Sequence, residues 1–180
     1  MYNSDKLAEK IKATVCEIPD FPKPGISFKD ITPILKDPIL CTAIIDELYL
    51  QLKDLDFDAI AAVESRGFLF GLMLANKMGK PFIPIRKKGK LPFTTVAQQY
   101  DLEYGTATIE IHKDAFLPGA KILIHDDLLA TGGTVMATTS LINKLEGVVA
   151  GFSFIVSLDF LNGKQKLLTV TDKIFSLANY

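Results

Sequence analysis

Apolar positions along the chain switch repeatedly between helical and strand spacing. Leu7, Ala8, Ile11 and Val15 recur at helical intervals behind Ser4, whose hydroxyl suits an N-cap, and predict a first helix. Pro19, Pro22 and Pro24 then impose an extended, irregular path that closes at Gly25. Asp37-Pro38 joins a capping carboxylate to a proline at the first helical position, and Ile39, Leu40, Ala43, Ile44 and Leu48 continue as a helical stripe. Ala59-Ile-Ala-Ala-Val63 is apolar throughout and predicts a strand buried on both faces. Gly67 to Ala75 reads as an apolar helix that ends at a C-terminal glycine, Gly79. Pro81-Phe-Ile-Pro-Ile85 reads as another strand.

From Arg86 to about Asp101 the chain is basic and polar, broken by Gly89 and Pro92 and without periodicity, which predicts a long loop of the kind that serves as a lid. Thr106 to Ile111 alternates like a half-buried strand. Lys121-Ile-Leu-Ile124 predicts a strand ending on Asp126-Asp127, and a helix beginning near Gly133 carries Val135, Met136, Leu141, Ile142 and Leu145. Val148 to Leu158 is apolar again, and Ile174 to Leu177 predicts a late strand. Alternating strands and helices give an α/β fold, a doubly wound and mostly parallel sheet with right-handed crossovers. Ligands bind such sheets at the carboxyl ends of the strands, where the turns at Glu64 and Asp126 fall.

Composition narrows the partners. A chain of 180 residues suffices for one domain, and a net charge of -1 lacks the basic excess that a nucleic acid partner requires. Cys16 and Cys41 show no metal-ligand spacing and read as free thiols, and the polar N-terminus shows no signal region; together they predict a cytoplasmic protein. No apolar stretch reaches the roughly 18 residues needed to span a membrane.

The segment Ile122 to Thr134 carries the most chemistry. An apolar strand is followed by Asp126 and Asp127, then by Ala130-Thr-Gly-Gly-Thr134. Uncrowded backbone amides and two hydroxyls at a helix N-terminus converge on an anion, and the helix dipole favours negative charge there. The two acids would repel a phosphate, so they point to sugar hydroxyls or to a ligand-borne metal. An ordinary strand-to-helix turn with acidic caps is the alternative. The spacing fits neither a nucleoside triphosphatase loop nor Gly-x-Gly-x-x-Gly.

Asp126-Asp-Leu-Leu-Ala-Thr-Gly-Gly-Thr134 resembles the phosphoribosyl pyrophosphate motif of type I phosphoribosyltransferases, in the form found in adenine phosphoribosyltransferases. The resemblance extends along the chain through Pro19-Asp-Phe-Pro-Lys-Pro-Gly25, Phe28-Lys-Asp30, Ser65-Arg-Gly-Phe-Leu-Phe-Gly71, Arg86-Lys-Lys-Gly-Lys-Leu-Pro92, Leu102-Glu-Tyr-Gly105 and Lys113-Asp-Ala115. It implies a single phosphoribosyltransferase domain over residues 1–180, with residues 1 to about 35 forming a small hood. The implied reaction joins adenine to phosphoribosyl pyrophosphate, giving AMP and pyrophosphate in purine salvage, with Mg2+ carried by the donor rather than by protein ligands. A homodimer is implied as well.

The same resemblance distributes the roles. Ala130, Thr131, Gly132, Gly133 and Thr134 would hold the 5'-phosphate, and Asp126 and Asp127 the ribose hydroxyls. Glu64, Ser65 and Arg66, with Arg86 and Lys90 from the basic run, would serve pyrophosphate, and a cis peptide would lie between Glu64 and Ser65. Ser27, Phe28 and Lys29 would receive adenine, Phe28 by stacking. Glu103 is the candidate general acid or base. Taken alone, each has an ordinary reading: Glu103 as a strand-edge acid, the cations as a solvated face, Phe28 as a staple among prolines.

Four positions depart from the family pattern. Ser27 stands where an apolar residue is usual, Lys29 replaces a common arginine, His125 a valine, and Phe93 a small or polar residue. His125 shares a strand face with Leu123 and reads as a structural, partly buried histidine with a hydrogen-bond partner. Rival readings are a transferase for guanine, hypoxanthine or xanthine, a non-catalytic sensor of phosphoribosyl pyrophosphate, and a receiver-like domain whose paired acids bind Mg2+. The last leaves Thr131-Gly-Gly-Thr134 unexplained.

Overall fold

The computed structural model describes residues 3–21, 23–25, 27–101 and 105–180. Helix α1 (Ser4–Thr14) leads into an antiparallel hairpin, β1 (Cys16–Pro19) with β2 (Ser27–Asp30), and on to α2 (Pro38–Leu52). The chain continues as β3 (Ala59–Val63), α3 (Arg66–Met78) and β4 (Phe82–Lys87), then β5 (Thr95–Asp101) and β6 (Thr106–His112). After β7 (Lys121–Leu129) come α4 (Gly133–Lys144), β8 (Val148–Ser157), α5 (Gly163–Leu167) and β9 (Ile174–Asn179).

Among the described residues, seven strands form one sheet in the order β5-β6-β4-β3-β7-β8-β9. Strands β4, β3, β7, β8 and β9 run parallel, and β6 and β5 add an antiparallel edge. Alternation along the strands divides the core. Ile60 and Leu123 join the cluster under α1, α2 and α3, while Ala59, Ala61, Ile122 and Ile124 join the cluster under α4. This double covering is why β3 is apolar at every position. From β3 the chain moves outward to β4, then returns to place β7 on the other side of β3. That reversal opens a crevice at the carboxyl ends of β3 and β7.

Local signals account for much of this frame. Asp37 caps α2, its Oδ1 accepting from Ile39 N at 3.1 Å and Leu40 N at 3.0 Å, and Gly79 ends α3 in the left-handed conformation at φ 64°. Both cysteines are free thiols. No helix among the described residues is long and apolar enough to cross a membrane.

Several expectations are corrected. Asn3 caps α1 by accepting from Lys6 N at 2.9 Å, while the Ser4 hydroxyl donates to Glu47 instead. The proline-rich segment is flanked by the β1–β2 hairpin; Pro22 lies outside the described residues. Ile39 is exposed, and the buried stripe of α2 runs through Leu40, Cys41, Ile44, Ile45, Leu48 and Leu52. Strand β7 does not end on the acids but carries them through to Leu129, paired with β8. The stretch after Arg86 is largely ribbon: β4 extends to Lys87, and β5 pairs with β6 from Thr95↔His112 to Asp101↔Thr106. The half-buried positions of β5 include Val96, Gln98 and Tyr100, so polar character masked the alternation. The segment from Asp159 to Leu167, a short 3-10 turn followed by α5, gave no sequence signal that was read.

Candidate active site

The carboxyl end of β3 turns into α3 through a cis peptide between Glu64 and Ser65, where the family resemblance places one. Gly67 lets this helix start close against β7. A Cβ there would lie 2.8 Å from Asp126 Oδ1 and 3.2 Å from its Cα. Arg66 therefore opens α3 directly above the paired acids, with Nε 2.9 Å from Asp127 Oδ2. This contact is ionic and not a directed hydrogen bond, so buried Oδ2 keeps an open acceptor position.

Burial, followed by the adjacent Asp127 carboxylate, pushes Asp126 well above the ordinary carboxylate range. Burial also raises Asp127, against the opposing pull of the Arg66 guanidinium. Asp126 Oδ1 accepts the Asp127 amide at 2.9 Å. Two crowded acids with spare acceptor capacity suit a ligand that brings hydroxyl donors or positive charge. Among the described residues, no cluster of three or more His, Cys, Asp or Glu could hold a metal.

The next turn makes the anion cradle. Gly132 is left-handed at φ 77° and is the N-cap of α4, with no side chain capping the helix start. The first amides of a helix lack intrahelical acceptors and are free for an anion. Thr134 Oγ1 donates to the Tyr100 hydroxyl at 3.2 Å, tying this cradle to β5.

The hood hairpin faces the same opening. Phe28 stacks edge-on with Phe21, ring centroids 5.2 Å apart, and the Arg66 guanidinium lies 5.0 Å from the Phe28 ring centre. Glu17 on β1 accepts from the Ser27 hydroxyl and pairs with Lys29 Nζ at 2.7 Å. The opposite contact of Lys29 is the Tyr180 ring, 4.7 Å away.

These parts enclose one cleft of about 930 Å³. It brings together Ser27, Phe28, Lys29, Glu64, Ser65, Arg66, Asp126, Asp127, Ala130, Thr131 and Thr134, with Gly132 and Gly133 completing the loop behind them. Arg86 and Lys90 are not brought to its wall. Arg86 Nε reaches Glu64 Oε2 at 3.1 Å and Nη1 donates to the Lys90 carbonyl at 2.8 Å, while Lys90 N donates to Glu110. Burial alone would raise Glu64, but the hydrogen bonds from Lys87 N and Arg86 outweigh it and hold the carboxyl below its usual range. Lys87 supplies the cleft's cation from that run. Strand alternation held the signal: Lys87 shares its parity with Ile83 and Ile85, which join the cluster under α4, whereas Arg86 shares that of Phe82, which packs against the other cluster. Tyr100, Phe160 and Leu161 also line the cleft and were missed; Tyr100 alone had a signal, its parity with Val96 along β5. Glu103 lies outside the described residues.

His125 sits directly behind the acids, fully buried rather than partly, with Nδ1 3.2 Å from Ser153 Oγ across the β7–β8 ladder. Burial lowers its pKa to about 4, so the ring is neutral near pH 7.

Known proteins resemble this chain along its whole length. The family profile described as "Phosphoribosyl transferase domain" matches residues 29–166. Adenine phosphoribosyltransferase of Cytophaga hutchinsonii is 55% identical over 181 residues, covering 100% of both chains. The crystal structure of adenine phosphoribosyltransferase from Thermoanaerobacter pseudethanolicus superposes with a TM-score of 0.91 at 50% identity, covering 96% of this chain and 99% of that one. The Saccharomyces cerevisiae enzyme, solved with adenine and an imino-altritol bisphosphate, gives 0.87 at 38% identity, covering 96% and 99%. On a family profile that covers residues 29–166 and on relatives of this similarity, the chain belongs to the adenine phosphoribosyltransferases of the phosphoribosyltransferase family.

Proposed function

We propose that this cleft transfers a phosphoribosyl group from 5-phosphoribosyl 1-pyrophosphate to adenine, releasing pyrophosphate and giving AMP, as a step of purine salvage. The observation that carries this reading is the convergence of Asp126, Asp127, Arg66, the 130–134 cradle and Phe28 on one cleft. The cradle takes the 5'-phosphate through Ala130, Thr131, Gly132, Gly133 and Thr134. Asp126 and Asp127, both on the wall of the cleft, take the ribose hydroxyls. Breaking the anomeric bond builds oxocarbenium character, and two carboxylates close to the ring stabilise it.

Glu64, Ser65 and Arg66 take the pyrophosphate, assisted by Lys87. Arg86 and Lys90 serve the same end through the turn they brace. Mg2+ would arrive with the donor and would supply charge neutralisation for the leaving pyrophosphate; the hard carboxylate oxygens of Asp126 and Asp127 on the cleft wall are compatible with it. Adenine stacks on Phe28 between Ser27 and Lys29. Glu103 exchanges the ring proton, an assignment that rests on the family motif.

The family likeness also supports one domain over residues 1–180 with its hood, a cytoplasmic location and a homodimer. Incubation with adenine, phosphoribosyl pyrophosphate and Mg2+ should give AMP and pyrophosphate in equal amounts. No AMP from adenine, or faster turnover of guanine or hypoxanthine, overturns the reading.

A further inference from the structure

Two glycines from distant parts of the chain meet beneath the phosphate cradle. A Cβ on Gly163 would stand 2.1 Å from the Ala130 carbonyl oxygen and 3.1 Å from Gly132 N. A Cβ on Gly132 would stand 3.2 Å from the Gly163 carbonyl oxygen. The neighbours are backbone atoms, so no side-chain rotation relieves the overlap. The first contact is roughly 1 Å or more inside van der Waals separation. Gly163 is not among the glycines with positive φ, so space rather than backbone conformation requires glycine there.

The segment that carries Gly163 is itself pinned. Leu158 N donates to the Leu129 carbonyl at 2.8 Å, and Asp159 N donates to the Tyr180 carbonyl at 3.0 Å. Ser157 Oγ donates to Asp159 Oδ1 at 2.7 Å, and Asn162 N closes the 3-10 turn onto the Asp159 carbonyl at 3.1 Å. The left-handed Asn162, φ 55°, then aims Gly163 at the cradle. We infer that Gly163 is a positioning residue whose bare backbone supports the 130–132 turn from below and sets the direction of the amides that hold the donor's 5'-phosphate. The inference rests on the assignment of that loop to the 5'-phosphate.

The test is Gly163→Ala. Displacing the cradle by about 1 Å should raise the KM for phosphoribosyl pyrophosphate about 10- to 100-fold. It should weaken binding of ribose 5-phosphate by a similar factor and leave the KM for adenine within about twofold. A merely structural glycine would behave differently: a smaller active fraction would lower kcat and leave both KM values unchanged. That pattern, or an unaltered donor KM at full activity, overturns the inference. Should the variant not fold, hydrogen exchange on the wild-type protein decides. Ribose 5-phosphate should then protect the amides of 162–164 together with those of 131–134, and protection confined to 131–134 overturns the inference. Wild-type protein that makes no AMP and does not bind ribose 5-phosphate overturns the loop assignment and this inference together, whereas normal wild-type activity with an unaffected Gly163→Ala overturns the inference alone.

Discussion

The two ends of the cleft are built by opposite means. At the proposed ribose end, Asp127 is 4% exposed and meets the Arg66 guanidinium, with the adjacent His125 fully buried. At the proposed base end, Glu17 holds Ser27 and Lys29 with a side chain that is 59% exposed, and Tyr180 adds a cation–π contact. Charges buried beside one another are costly without a ligand and gain strongly from one, whereas exposed pairs are screened and nearly neutral in energy. The proposed ribose end thus stores binding capacity at the end of a rigid central strand, and the hood is an adjustable frame. Substitutions should have large effects at the first end and small ones at the second.

Asp127→Asn should give the largest effect. It keeps the shape of the side chain but removes the charge that pairs with Arg66 at the proposed ribose end. Turnover should fall about 10²–10³-fold, in line with the loss of one preorganised electrostatic contact. Circular dichroism should remain that of the folded protein. A rate within threefold of wild type would remove Asp127 from the ribose site.

His125 tests burial at the same end through pH. Its folded pKa of about 4 lies below the ordinary 6.5, so the unfolded chain binds the extra proton first as pH drops. The stability it contributes is present above about pH 6.5 and is lost as pH falls towards 4. Between pH 7 and pH 4.5 the loss should be about 2–3 kcal/mol. His125→Val should remove this increment. Urea titrations of both proteins at the two pH values would measure it, and parallel pH dependences would contradict the assignment.

The same contrast explains what could be read from the residues in order. The ribose end is nearly contiguous: strand, acids, cradle and helix start lie in one run from Ile122 to Thr134, and local rules suffice. The parallel core was legible for a similar reason, since buried strands such as β3 are apolar at every position. The hood is assembled from Glu17, Lys29 and Tyr180, which nothing local links. β5 carries no strand alternation in its sequence because its inward Gln98 is polar, and what makes it a strand is its pairing with β6. Gly163 looks like an ordinary turn glycine until the Ala130 carbonyl is placed beneath it.

Arg86 falls between the two regimes, with a side chain 33% exposed beside a Glu64 that is 16% exposed. Its planar fork spans Glu64 and the Lys90 carbonyl at once, which an ammonium cannot do. Arg86→Lys keeps the charge and loses the strut, so the donor KM should rise about tenfold with adenine KM unchanged. If Arg86 instead met pyrophosphate simply as a positive charge, lysine would retain most of the affinity, and steady-state kinetics would show a change under threefold.

The smallest effect is expected from Glu17→Gln in the hood. The hydrogen bond from Lys29, then that from Ser27, hold the Glu17 carboxyl below its ordinary range, so the tie persists until pH falls below the usual carboxylate values. Glutamine can still accept from the Ser27 hydroxyl but no longer neutralises Lys29, which keeps only the Tyr180 ring. For an exposed pair the adenine KM should rise less than about fivefold, and the difference should shrink as salt screens the wild-type interaction. A loss approaching that of Asp127→Asn, or one insensitive to salt, would mean that Glu17 acts on the base directly rather than by steadying Lys29. The hood would then be as preorganised as the end of that central strand, and the division between a rigid ribose end and an adjustable base end would fail.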